Sequence, residues 1–212
     1  MYKKGIFLIL ISLIISILSV SCSNIKTPDA SNASTTVNKY IETNDNLVFG
    51  NKLFVPQNVN IIPKNIGKQC GITDNKKQVF EIDGQKPNEW VCMLDNGVTK
   101  VYKEQSVEFI SFKDFKPVKF KVKDMKSNKV TKEIIDINVI NKVVSEMCKE
   151  NVVNPPNSPS MMSQLDFESY KCPGLVFSYI FLHDESTKLC FIVDQSNNIT
   201  WKIGHELMDL IM

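Results

Sequence analysis

Hydrophobic and polar positions divide the chain into three regions. Ile6 to Leu18 is an almost unbroken apolar run that follows Lys3 and Lys4. Residues 22–46 contain hardly any large apolar side chain and are rich in Ser, Thr, Asn, Asp and Lys. From Leu47 onward, short apolar runs alternate with turn residues, which is typical of a folded domain. The pattern predicts a leader over 1–21, a flexible tether over 22–46 and a globular region over 47–212.

The leader has the basic start, the short apolar run and the small residues of a secretory signal. Its apolar run is shorter than the roughly 20 residues that a membrane-spanning helix needs. Leu18-Ser19-Val20-Ser21-Cys22 resembles the lipobox of bacterial lipoproteins, although Ser19 stands where leucine is usual. The resemblance implies a fatty acyl group such as palmitate on Cys22, and therefore anchoring at the outer face of the cell membrane. The alternative is an ordinary signal peptide that is cut elsewhere.

Strand patterns dominate the first half of the globular region. Glu89 to Leu94 and Val98 to Tyr102 flank an Asn-Gly turn, which predicts a hairpin. Val107, Phe109 and Phe112 suggest a further strand. In Val118 to Lys123 three apolar residues alternate with Lys119, Lys121 and Lys123. We interpret this as a solvated edge strand protected by lysines; a strip that binds a polyanion such as teichoic acid is the alternative.

The second half predicts a compact α-β-β-β-α unit. Asp136 is a candidate N-cap for a helix that runs to about Lys149. Three strands and a short final helix follow: Leu175 to Leu182, Leu189 to Val193, Ile199 to Ile203 and Glu206 to Ile211. The expected fold class is therefore α+β, with a strand-rich N-terminal lobe and possible lobes over 47–130 and 131–212.

One stretch of the first half shows a family resemblance. It runs from Ile66-Gly67-Lys68 through Val79 to Gly84 and on to Asn88-Glu89-Trp90-Val91. It is similar to a pattern in small uncharacterised lipoproteins of low-GC Gram-positive bacteria, over about 26 residues. The resemblance implies no particular activity.

The basic residues argue against one class of partner. All 25 are lysine and none is arginine, while 23 residues are acidic. Arginine supplies the planar fork that grips phosphate or guanine, so a nearly neutral chain without it is a poor nucleic-acid binder. We expect no nucleic-acid partner.

Five cysteines follow Cys22. Cys172 could pair with Cys190, and Cys70 with Cys92, but their mostly apolar surroundings favour buried thiols. The cysteines of the globular region are Cys70, Cys92, Cys148, Cys172 and Cys190.

Catalytic and metal-binding patterns are weak. A thiol hydrolase would need Cys190 or Cys172 beside His205, while His183 belongs to a polar hairpin turn and is expected to be solvated. The sequence contains no Cys-x-x-Cys or His-Glu-x-x-His motif, so we predict no metal site, cofactor or catalytic residue. The predicted function is a lipid-anchored, non-catalytic binding or scaffold module of unknown protein or cell-wall ligand. A small thiol hydrolase and a metal or redox carrier are the alternatives.

Overall fold

Strands build most of the described chain. The computed structural model describes residues 37–149, 152–156 and 159–211. Within these ranges the strands are β1 Asn38–Thr43, β2 Asn46–Phe49, β3 Lys52–Pro56, β4 Ile61–Pro63, β5 Ile66–Thr73, β6 Gln78–Ile82, β7 Trp90–Asp95, β8 Val98–Glu104, β9 Lys119–Asp124, β10 Val130–Ile134, β11 Met161–Glu168, β12 Leu175–Asp184, β13 Leu189–Asp194 and β14 Ile199–Ile203. The helices are α1 Phe112–Phe115, α2 Ile137–Met147 and α3 Met208–Ile211, the last preceded by a 3₁₀ turn, His205–Leu207.

Seven strands close into a barrel in the order β1-β2-β3-β8-β7-β6-β5. The closing pair is parallel: β1 lies beside β5, with Asn38 opposite Gly71. Gly71 makes this closure possible, because a Cβ atom there would lie 2.3 Å from Cε2 of Tyr40. The barrel interior is filled by Tyr40, Leu47, Phe54, Val79, Val91, Met93 and Tyr102.

The predicted Asn-Gly hairpin is confirmed in this barrel. Strands β7 and β8 pair antiparallel from Trp90 opposite Lys103 to Asp95 opposite Val98. Asn96 and Gly97 both have positive φ angles, 51° and 80°. Two such residues in succession form the turn that matches the right-handed twist of a hairpin.

The second sheet has the order β10-β9-β11-β12-β13-β14, and β4 pairs with the first residues of β12. Helix α2 packs against this sheet at β14 and β9. Asp136 caps the helix as predicted, since its carboxylate accepts the N–H of Asn138 at 2.8 Å. Ile140, Val143 and Met147 are the buried stripe of the helix.

The barrel and the second sheet share a core through strand β7. Val91 and Met93 point into the barrel, while Trp90 and Cys92 belong to the core of the second sheet. This strand is therefore buried on both faces, which explains its unbroken apolar sequence. Trp90 is buried and Trp201 is half-buried.

Two glycines allow backbone contact between the barrel and the second sheet. Gly84 follows β6, and Gly174 precedes β12; their φ angles are 88° and 87°. A Cβ atom on Gly174 would lie 1.8 Å from the carbonyl oxygen of Asp83. The side-chain amide of Gln85 also donates to the carbonyl of Pro173 at 2.6 Å. The barrel is thus joined to the loop in front of β12.

The expected α+β class is wrong. The described chain is mainly β, and the three predicted strands after Leu175 are not part of a separate α-β-β-β-α unit. An unpredicted strand, β11, intervenes between α2 and β12, and β9, β10 and β4 join the same sheet. The sequence does not predict a strand over 161–168, because several prolines immediately precede this segment and non-local pairing cannot be derived from local pattern.

Two boundaries differ from expectation as well. Strand β1 lies inside the segment 22–46 that was predicted as tether, so the folded part begins before residue 47. The second sheet takes strands from both sides of residue 130, so the possible lobes 47–130 and 131–212 do not correspond to the two sheets. The expected strand around Phe109 is also wrong, because Phe112 instead begins the helical turn α1.

Cys22 and the predicted leader over 1–21 lie outside the described residues. In the described ranges, every helix is too short or too polar to cross a bilayer.

Candidate functional site

A cavity of about 510 Å³ opens at one end of the second sheet. Strands β9 and β12 begin at this end of the sheet, and strands β10 and β11 finish there. Because these strands are antiparallel, the loops attached to these strand ends lie close together. The size lies within the range of roughly 300–1,000 Å³ that is usual for small-molecule sites. Its wall is formed by Lys64, Val118, Lys119, Ile135, Glu168, Ser169, Tyr170, Pro173, Gly174 and Leu175.

Glu168 is the polar centre of this cavity. Its side chain is only 11% exposed, and three ammonium groups surround the carboxylate. Nζ of Lys64 lies 2.7 Å from Oε2 and Nζ of Lys121 lies 3.2 Å from Oε1. Nζ of Lys119 lies 3.6 Å from Oε2 of Glu168 and 3.0 Å from a carboxylate oxygen of Glu133.

Strand register brings these charges together. Lys119 lies opposite Glu168, and Lys121 lies opposite Asp166, in the antiparallel pair of β9 and β11. Lys123 forms an ion pair with Asp166. On the far side of β9, Glu133 of β10 lies opposite Lys121. One polar face of the sheet therefore carries alternating lysines and carboxylates across three strands.

This arrangement corrects the interpretation of Lys119, Lys121 and Lys123. Strand β9 is not an edge strand, because β10 and β11 pair with its two sides. Its lysines do not protect an open edge; they meet the carboxylates of the neighbouring strands. The alternating lysine pattern would look the same in an edge strand and in an inner strand. Only the presence of a neighbouring strand on each side distinguishes the two.

The ion pairs shift the pKa values of Glu168 and Lys119. Burial by itself would raise the pKa of Glu168, but hydrogen bonds from Lys64 and Lys121 and their positive charges outweigh it and hold that pKa below its usual value. The pKa of Lys119 is raised, chiefly by its hydrogen bond to Glu133 and also by the charge of Glu168. Both shifts favour the charged forms of Glu168 and Lys119 at neutral pH.

Two large side chains at the cavity remain open to solvent. Tyr170 is 86% exposed and Ile135 is 73% exposed. The backbone below them is fixed: the N–H of Lys64 donates to the carbonyl of Gly174 at 2.8 Å. The hydroxyl of Ser169 donates to the carbonyl of Phe115. A rigid charged floor thus lies beside exposed apolar and aromatic surface.

The residues considered for thiol chemistry have a different setting. His183 is buried at the end of β12, contrary to the expected solvated turn, and lies opposite Cys190 of β13. The ring centroids of His183 and His205 are 6.5 Å apart. Nδ1 of His183 lies 3.7 Å from a carboxylate oxygen of Glu185, and its Nε2 has no hydrogen-bond partner among the described residues.

Burial makes most of the thiols poor nucleophiles. It raises the pKa of Cys190 to about 11, with a smaller contribution from Asp209, and raises the pKa of Cys92 to about 12. Burial likewise raises the pKa values of Cys70 and Cys172. A thiol with such a pKa is protonated at neutral pH, whereas catalytic cysteines need the thiolate. All five cysteines of the described ranges are free, and Cys148 is exposed.

Metal ligands do not converge in the described part of the chain, where no three His, Cys, Asp or Glu side chains are placed to hold an ion. The oxygen-rich segment after β13 forms a turn: the carboxylate of Asp194 accepts the backbone N–H groups of Ser196 and Asn197 at 2.8 and 3.1 Å.

Glu168 and Lys64 were missed by the sequence analysis. Segment 163–168 alternates polar and apolar residues, with Gln164, Asp166 and Glu168 on one face. That acidic face complements the lysine face of β9, and this complementarity was the available signal. No sequence pattern points to Lys64 as a partner of Glu168, because the pairing of β4 with β12 is what brings Lys64 to Glu168.

Comparison of the chain with protein-family models, with curated proteins and with solved structures finds no match.

Proposed function

We propose that this protein is a non-catalytic binding module that is held at the outer face of the cell membrane by lipid on Cys22. The order of segments carries the proposal: a basic start, an apolar run, Ser21-Cys22, a polar stretch and then a folded β domain. This order is typical of an exported protein that works at the membrane surface. The cavity at Glu168 is the proposed binding site.

The side chains of the domain favour binding over thiol catalysis. The thiols that could serve as nucleophiles are held in the protonated form by burial. The charged residues around Glu168 are instead fixed by mutual ion pairs that join Lys64 to the adjacent strands β9, β10 and β11. Rigid placement of charges in a concave surface suits recognition of a ligand, because the side chains lose little freedom on binding.

Lipid attachment can be tested in a Gram-positive host that is fed an alkyne analogue of palmitate. We expect the wild-type protein to incorporate the label and to sediment with membranes. Cys22→Ser should carry no label and leave the membrane fraction, because the acyl chains on Cys22 provide most of the membrane affinity. Cys148→Ser is the matched control, since Cys148 is an exposed thiol of the folded domain, and it should be labelled like the wild type.

Two outcomes contradict the anchoring proposal. One is wild-type protein that is recovered unlabelled in the medium. The other is equal labelling of the wild type and Cys22→Ser.

A further inference from the structure

The charges around Glu168 do not balance. Three ammonium groups, those of Lys64, Lys119 and Lys121, face two carboxylates, those of Glu168 and Glu133. One positive charge is therefore left over in this cluster, of which Lys64, Lys119 and Glu168 line the cavity. An unmatched charge in a concave, partly desolvated site attracts an ion of opposite sign more strongly than the same charge in open solvent.

Lys64 carries the unused hydrogen-bonding capacity. An ammonium group has three donors, and within the described residues Nζ of Lys64 has one acceptor, Oε2 of Glu168. The side chain is 41% exposed and forms part of the cavity wall. Its remaining N–H groups can therefore reach a ligand in the cavity without breaking the ion pair.

Tyr170 and Ile135 supply the second half of the site. Both line the cavity, and both are far more exposed than is usual for large side chains of their kind. The face of a tyrosine ring stacks on planar or apolar groups, and its hydroxyl remains available to water or ligand. Exposed aromatic surface beside a charged floor defines a site with one ionic end and one apolar end.

We infer that the cavity binds a small molecule with one anionic oxygen group, a carboxylate or a phosphate, attached to a planar or apolar body. The anion meets Lys64, with Lys119 and Lys121 behind it, and the body lies against Tyr170 and Ile135. This inference rests on the proposed role of the cavity as a binding site. It adds the ligand's charge and shape.

Four probes test this assignment by calorimetry or NMR titration of the full chain in detergent micelles. Benzoate and phenyl phosphate carry both parts of the expected ligand, benzamide replaces the anion by a neutral group of similar shape, and inorganic phosphate lacks the apolar body. We expect benzoate or phenyl phosphate to bind about tenfold more tightly than benzamide, since one charge-assisted hydrogen bond is worth about 1.4 kcal/mol or more. Whether benzoate or phenyl phosphate binds more tightly decides between a carboxylate and a phosphate as the anionic group of the ligand. The affinity should fall as salt is added.

Three variants locate the binding. Lys64→Gln should weaken the preferred anion about tenfold and leave benzamide unchanged. Tyr170→Ala should weaken the aromatic probes but not inorganic phosphate. Lys126→Gln, which removes an exposed lysine of the β9–β10 turn outside the cavity wall, is the matched control and should bind like the wild type. Circular dichroism of each variant checks that the fold is retained.

The outcomes separate this inference from the broader proposal. Equal affinity for benzamide and the anions would overturn the charge assignment and leave the cavity as a binding site. If Lys64→Gln and Lys126→Gln reduced the affinity for the anions equally, the placement of the anion at Lys64 in the cavity would be overturned. Absence of binding by all four probes would overturn the ligand class, while the fatty-acid labelling experiment decides the anchoring independently.

Discussion

Gly174 provides the sharpest test of how the barrel is joined to the second sheet. Replacement by alanine has two effects. The first is conformational: a φ angle of 87° lies in the region that alanine avoids, which costs about 1–2 kcal/mol. The second is steric, because the new Cβ atom would lie 1.8 Å from the carbonyl oxygen of Asp83, whereas real contacts of this kind are no shorter than 3.0 Å.

Relief of this clash requires a backbone shift of at least 1.2 Å, the difference between 3.0 and 1.8 Å. Such a shift would lengthen the hydrogen bonds from Lys64 N to the Gly174 carbonyl, 2.8 Å, and from Gln85 to Pro173, 2.6 Å. Each bond contributes about 0.5–1.5 kcal/mol. Together with the conformational effect, the free energy of unfolding should fall by about 2–5 kcal/mol.

Gly97→Ala separates the two effects. Gly97 has a similar φ angle of 80°, but a Cβ atom there would meet nothing within 4 Å. This variant should therefore lose only about 1–2 kcal/mol. Urea denaturation of the wild type and both variants measures the difference. Equal losses for Gly174→Ala and Gly97→Ala would refute the conclusion that the backbones of the barrel and the second sheet touch at Gly174.

Three further predictions concern the barrel closure, the core and the ion pairs. Gly71→Ala should destabilise the protein by about 1–3 kcal/mol in urea denaturation, since its Cβ atom would overlap the ring of Tyr40; a neutral effect would contradict the parallel closure of the barrel. Phe167→Ala should cost about 3–5 kcal/mol in the same assay, because this ring is fully buried among other aromatic rings; a loss below 1 kcal/mol, about the level of a surface change, would contradict its core position. The pKa of Glu168 is below its usual 4.5, so its ion pairs contribute stability above that pH and the contribution is lost as pH falls through the lowered value. Thermal melts between about pH 5 and pH 3 should therefore show a steeper loss for the wild type than for Glu168→Gln, and parallel losses would contradict the pKa shift.

Local features were predictable from sequence because their physics is local. The Asn96-Gly97 turn needs two residues that tolerate positive φ, and the sequence places them between two apolar runs. Asp136 caps α2 through a bond to an N–H only two residues away. The buried stripe of that helix follows from the spacing of Ile140, Val143 and Met147.

Errors arose where a distant segment decides the environment. His183 is followed in sequence by Asp184 and Glu185, yet the pairing of β12 with β13 places it beside Cys190 in the interior. The lysines of β9 are consistent with an edge strand until β11 is known to lie beside them. Strand β1 has the sequence pattern of a tether, because its single buried residue, Tyr40, finds its partners across the barrel.

The sequence by itself determined the turn, the helix cap and the alternation of the strands. Those properties depend on neighbours within a few residues, where backbone preference and side-chain period act directly. Only the tertiary structure decided that the strands form a closed barrel and a second sheet, and that Lys64, Lys119 and Glu168 meet at one cavity. Lys64 and Glu168 are 104 positions apart in the sequence. The attraction between two charged side chains depends on the distance between them, and only strand pairing sets that distance.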